Sequence, residues 1–133
     1  MSTLNLTKTH HMALTGGDYL EAIYDVSTAR QETSVRSVDI ARSLGVAKPT
    51  AHVALTSLRE EQLVTQTPYG RVALTPAGAE MARELERFCK AMRIFLANEL
   101  GTDKETAHEE AGLMEHALSR ETMRKWTALL GGS

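Results

Sequence analysis

The segment "VDIARSLGVAKPTAHVALTSLREEQLV", residues 38–64, constrains the fold more than any other stretch of this chain. Two short apolar-periodic runs meet at Gly45, and the second opens with Lys48-Pro49-Thr50. A glycine ends a helix at little cost because it accepts the left-handed conformation. A proline in the first helical turn removes an N–H that has no helical partner anyway. Ser37 is placed to cap the first of the two helices. Two short helices around a tight glycine turn are the arrangement of a helix-turn-helix. Directly after them, "VTQT-PYG-RVALT" alternates apolar and polar residues on both sides of Pro68-Tyr69-Gly70, which is a β-hairpin signal. Helix, helix and hairpin in that order predict a winged helix.

The flanks fit the same plan. "TGGDYLEAIYDVSTA" reads as a preceding helix, opened by a capping box of Thr15 and Asp18, with Tyr19, Leu20, Ile23, Tyr24 and Val26 as its buried stripe. "RQETSVRS" reads as a short loop, and residues 1–14 as a polar, frayed start. Downstream, "TPAG" starts a long helix with Thr75 at the N-cap and Pro76 at the first position; Met81, Leu85, Phe88, Met92 and Phe95 form its stripe, and Gly101 ends it. Thr102 with Glu105 caps a further helix, and "SRETMRKWTALL" is a short last one. An aromatic content of 5% beside plentiful alanine and leucine agrees with a mainly α fold.

No apolar run approaches the roughly 20 residues needed to span a bilayer. The stretch MSTLNLTKTHHMALTGG lacks the apolar core of a signal peptide. A single cysteine excludes an internal disulfide framework and suits a reducing compartment, so the expected location is the cytoplasm, with no membrane partner. The net charge of −2 is evenly spread: residues 1–74 carry seven Lys/Arg against seven Asp/Glu, and residues 75–133 eight against ten. Neither half is a basic block, so DNA binding must rest on shape and motif.

On that basis Lys48, Pro49, Thr50, His52, Thr56 and Ser57 lie on or near the exposed side of the second helix, where side chains meet base edges in a major groove. Arg36, Ser37 and Arg42 are candidates for phosphate contacts, and Tyr69 with Arg71 at the wing tip for the backbone or minor groove. The alternative reading of the same polar surface is a winged helix used for protein–protein contact, with DNA binding favoured by hairpin and turn chemistry together.

"HEEAGLMEHALS", residues 108–119, places two histidines and three glutamates on one short helix. His108, Gly112 and Glu115 recur at i, i+4 and i+7, with His116 beside them. The segment is either a solvated acidic helix or one wall of a metal site. Gly112 costs about 1 kcal/mol relative to alanine in mid-helix, which tight packing or the approach of an ion would justify. Asp18 and Glu21 form a second acidic pair one turn apart, and Cys89 falls beside the long helix's apolar stripe. Taken singly, the pair is a solvated face and the cysteine inert core. Converging, they make a mixed O/N/S site for a divalent transition metal.

"DYLEAIY", the helix-turn-helix segment, "GRVALTPAG" and "HEEAGLMEHALS", in this order over roughly residues 15–130, resemble the diphtheria toxin repressor family (DtxR/MntR) of metal-dependent transcriptional regulators. "DYLE" is the form typical of its short manganese-responsive branch. The resemblance implies an N-terminal winged helix-turn-helix, three helices plus a hairpin wing, over residues 1–74. An α-helical metal-binding and dimerisation lobe follows over 75–133, with no SH3-like third domain. It implies a cytoplasmic homodimeric repressor of transition-metal homeostasis that binds a palindromic double-stranded operator, with metal held between the lobes. Asp18, Glu21, Glu115 and His116 match the family's ligands, Gly112 a position that ligates through its carbonyl, and His108 an ancillary-site histidine of the iron-responsive branch. The chain departs from the pattern at Cys89, where the family has histidine, at Gly112, where it has glutamate or cysteine, and at Arg93, which is acidic in the iron-responsive members. One main site per protomer is therefore expected. The resemblance implies Mn²⁺ or Fe²⁺ first and Zn²⁺ or Co²⁺ next, and a thiolate at Cys89 shifts preference toward the softer Fe²⁺, Zn²⁺ or Co²⁺ and away from a purely manganese site. His10 and His11 leave open a peripheral ligand.

Two rivals remain from the residues alone. One keeps the winged helix but senses an organic ligand or oxidation of Cys89. The other is a metalloenzyme using Glu115 or His116 as a base; the chain has no HExxH pair, nucleophile motif or phosphate loop, so the expectation is no enzymatic activity.

Overall fold

Short helices alternate with three brief strands before the chain becomes wholly helical. The computed structural model describes residues 14–131; the expectations for the first thirteen residues, including His10 and His11, fall outside them. Contacts divide the chain into two compact units, one of them Thr15–Glu84 and the other taking in Leu85 onward.

The first unit begins with α1 (Gly16–Arg30). Asp18 closes its first turn by accepting from the Thr15 N–H at 2.7 Å and from the Thr15 hydroxyl at 3.3 Å. β1 (Val35–Arg36), α2 (Ser37–Leu44) and α3 (Lys48–Glu60) follow, then β2 (Val64–Gln66), β3 (Arg71–Leu74) and the start of α4 (Pro76–Asn98). The turn between α2 and α3 is set by Gly45 at φ 69°, with Val46 N–H returning to the Ala41 carbonyl at 3.0 Å.

The strands form an antiparallel sheet in the order β1-β3-β2, with Val64 opposite Leu74 and Val35 opposite Val72. The wing thus has a third strand inside "RQETSVRS", expected to be loop. Two residues are too few to show a period of two, and pairing with β3 decides their conformation. Ser37 is not a cap: Arg36 occupies the N-cap position, and the Ser37 N–H instead donates to the Gly70 carbonyl at 2.7 Å, tying α2 to the wing turn.

Leu20, Ile23, Val35, Ile40, Leu55, Val64 and Val72 form the centre of this unit, each at most 1% exposed. Each is worth about 1.5–3 kcal/mol of burial. At the edge of this core the first turn of α4 presses on the chain after α3. A Cβ on Gly78 would lie 2.0 Å from the Leu63 carbonyl oxygen, so only glycine fits.

In the second unit, Leu85, Phe88 and Met92 recur at i, i+3 and i+7 along α4 and are buried. After Gly101 at φ 71° come α5 (Lys104–Ala117) and α6 (Arg120–Leu129). The cap of α5 is Asp103, not Thr102: its carboxylate accepts from the Thr106 N–H and hydroxyl, both at 2.9 Å. A carboxylate at this position also suits the positive end of the helix dipole. On α5 the buried line is Ala107, Ala111 and Glu115. Two alanines bring this face close to α4, and the carboxylate ends the line. Among the described residues no helix is long and apolar enough to cross a membrane.

Candidate metal centre and nucleic-acid interface

Glu115 is the one charged residue buried among those described, at 8% exposed. Burying a carboxylate costs several kcal/mol unless a donor or a cation meets it. Cys89 of α4, 9% exposed, points its thiol at Glu115 Oε1 across 2.7 Å and lies 3.9 Å from the Ala111 carbonyl. A thiol is a weak donor, so a core selected for stability alone has little use for this pairing. A thiolate and a carboxylate on facing helices are, however, metal donors, and His116 adds a half-buried imidazole on the next residue of α5. The donor set fits a divalent transition metal.

His108 is exposed and lines a cleft of about 350 Å³ with Arg93 and Lys104, whose charges oppose a second cation there. Gly112 is not explained by packing: a Cβ built on it meets nothing within 4 Å. Asp18 and Glu21 sit half-buried one turn apart on α1, in the winged-helix unit, where the Asp18 carboxylate also accepts from the Thr15 N–H at the helix start.

In that unit a groove of about 730 Å³ opens between α3 and the wing, lined by Lys48, His52 and Arg59 of α3, by Arg36, and by Tyr69 and Gly70 of the turn. Among the described residues, Arg36, Lys48 and Arg59 have no acidic group within salt-bridge distance. Arg59 was missed in the sequence, although its spacing of i+11 from Lys48 and i+7 from His52 puts all three on one side of a helix. Pro49, Thr50 and Ser57 are exposed as expected. Arg42 is also exposed, and it pairs with Asp39 at 3.2 Å.

Two expected DNA contacts are turned elsewhere. Arg71 spends its guanidinium on Ser34, donating to the hydroxyl at 2.8 Å and the carbonyl at 2.7 Å, with Glu32 3.7 Å away. It secures the loop before β1. The Thr56 hydroxyl is buried and has no hydrogen-bond partner among the described residues, so it offers nothing to a base edge. The helix-turn-helix is itself braced: Arg30 at the end of α1 binds Asp39 of α2 at 2.8 Å, and this hydrogen bond, with the cations around it, holds the Asp39 carboxyl below its ordinary range.

Residues 13–72 match the family model described as "Iron dependent repressor, N-terminal DNA binding domain", and residues 75–132 match "Iron dependent repressor, metal binding and dimerisation domain". The chain belongs to the iron-dependent repressor family. It is 35% identical over 109 residues to an uncharacterised HTH-type transcriptional regulator of Methanocaldococcus jannaschii, covering 81% of this chain and 86% of the relative. It is 36% identical over 106 residues to the transcriptional regulator MntR of Escherichia coli O6:H1, covering 80% of this chain and 66% of that one. Among solved structures, a manganese-dependent transcriptional repressor in complex with manganese is 33% identical with a TM-score of 0.71, covering 90% of this chain and 54% of that one. The manganese regulator SloR is 28% identical with a TM-score of 0.74, covering 92% and 56%. This repressor-family chain thus spans just over half the length of those two proteins. The family's metal-dependent, DNA-binding character agrees with what the residues and their resemblance imply.

Proposed function

We propose that this chain is a metal-responsive transcriptional repressor, cytoplasmic and homodimeric, that binds a palindromic operator when loaded with a divalent transition metal. Residues 1–74 form its DNA-binding domain and 75–133 its metal-binding and dimerisation domain. The observation that carries the reading is the buried contact of Cys89 with Glu115.

Cys89, Glu115 and His116 hold the ion from the helical lobe, with the Gly112 carbonyl, and Asp18 and Glu21 hold it from α1. His108 stays outside this set, because Arg93 and Lys104 share its cleft. When bound, the cation supplies the charge that offsets three carboxylates and a thiolate. Asp18 and Glu21 stand on the helix that Arg30 clamps to α2, so fixing α1 fixes the helix-turn-helix behind it. Arg36, Lys48 and Arg59 then meet phosphates, and the outward side of α3 meets bases. The replacement of histidine by Cys89 moves preference toward Fe²⁺, Co²⁺ or Zn²⁺ relative to a purely nitrogen and oxygen site.

Selection from a random pool of duplex DNA, with each of Mn²⁺, Fe²⁺, Co²⁺ and Zn²⁺ and with chelator, tests the reading. The expected result is enrichment of an inverted repeat, with half-sites about one helical turn apart, only when metal is present. Equal enrichment with chelator would contradict it.

A further inference from the structure

α3 has three distinct sides. Ala51, Leu55 and Leu58 are buried. Lys48, His52 and Arg59 line the groove beside the wing. Thr50, Val53 and Ser57 recur at i, i+3 and i+7 on the remaining side and are all exposed. The groove side is cationic, which suits phosphate. The outward side is small and uncharged.

Val53 is the large apolar side chain that α3 leaves exposed. It is 69% exposed in the middle of a helix, while the core of its unit is filled by other side chains. It contributes little to packing at that exposure, and valine is a middling helix former. Its side chain is free to meet whatever α3 docks against. In a major groove the apolar feature of the base edges is the C5-methyl group of thymine, and an isopropyl group flanked by two hydroxyl side chains matches it.

We infer that Val53 is a specificity-determining residue that reads a thymine methyl group in each operator half-site. The inference rests on the DNA-binding reading above. Thr50 and Ser57, one turn to either side, supply hydrogen bonds to the neighbouring base edges, and Lys48 and Arg59 fix the register from the backbone.

The test uses the full chain with saturating Co²⁺ and the duplex enriched from the random pool. Each thymine is replaced in turn by deoxyuridine, which removes only the methyl group, and affinity is measured by fluorescence anisotropy for wild type and Val53→Ala. The expected result is one thymine per half-site whose demethylation weakens wild type about fourfold, the worth of one buried methylene-sized group. Val53→Ala binds the methylated duplex more weakly and is indifferent to that replacement. Because Val53 is exposed, the alanine variant folds, and an unchanged circular dichroism spectrum and urea midpoint confirm it. Equal loss in both proteins, or no sensitive thymine, would overturn the inference while leaving DNA binding intact. Failure to enrich any duplex would overturn the DNA-binding reading, and this inference with it.

Discussion

Cys89 Sγ lies 2.7 Å from Glu115 Oε1, joining α4 to α5 through a thiol and a buried carboxylate. If both are ligands, Co²⁺ loading produces a sulfur-to-cobalt charge-transfer band in the near ultraviolet. Cys89→Ser abolishes the band and lowers Co²⁺ affinity by at least about 10–100-fold, the range seen even for groups that only support a ligand. A band of full intensity in Cys89→Ser would remove Cys89 from the site.

Two glycines respond to alanine in opposite directions. Gly78→Ala drives a Cβ into the Leu63 carbonyl, a backbone atom with little freedom to yield. It destabilises the protein by about 1–3 kcal/mol, toward the upper end. Gly112→Ala meets open space on α5 and gains about 0.5–1 kcal/mol. It keeps the backbone carbonyl and hence the metal affinity. Urea midpoints and metal titrations of the two variants check both statements.

The bridge from Arg30 to Asp39 gives the fold an acid-sensitive element. Its hydrogen bond and charge hold the Asp39 carboxyl below its ordinary value, so its stabilisation is complete above that value and lost as pH falls through the lowered one. Wild type therefore loses more stability than Asp39→Asn between about pH 6 and about pH 2. Urea denaturation at the two pH values measures the difference, and parallel losses would contradict it.

The cations divide by role. Arg36→Ala, Lys48→Ala and Arg59→Ala each weaken DNA binding broadly and reduce its salt slope by about one. Arg71→Ala leaves the slope unchanged and costs about 1 kcal/mol of stability through the lost bonds to Ser34. Anisotropy over a salt series separates the two groups.

Thr56→Val removes a buried hydroxyl that has no hydrogen-bond partner among the described residues. It stabilises the protein by about 1 kcal/mol and leaves operator affinity unchanged, measured by urea melt and anisotropy. A loss of affinity would return Thr56 to the interface.

Much of this molecule is legible in its sequence because its signals are local. Gly45, Pro49, Pro76 and the Pro-Tyr-Gly turn act within a few residues, and the helices and wing follow from them. What escaped was set by distant partners. β1 exists only because β3 pairs with it, and Arg71 is drawn off by Ser34, 37 residues away in sequence. Spacing named Cys89 and Glu115 separately; only folding puts them 2.7 Å apart. Val53 was passed over because an apolar residue in an amphipathic helix reads as core until its exposure is known.

Calorimetric titration of chelator-treated protein with Mn²⁺, anaerobic Fe²⁺, Co²⁺ and Zn²⁺, comparing wild type with Glu115→Ala and Cys89→His, tests the metal centre most directly. The account predicts one tight site per protomer, lost in Glu115→Ala and shifted toward Mn²⁺ in Cys89→His. No saturable binding, or binding indifferent to both substitutions, would contradict it.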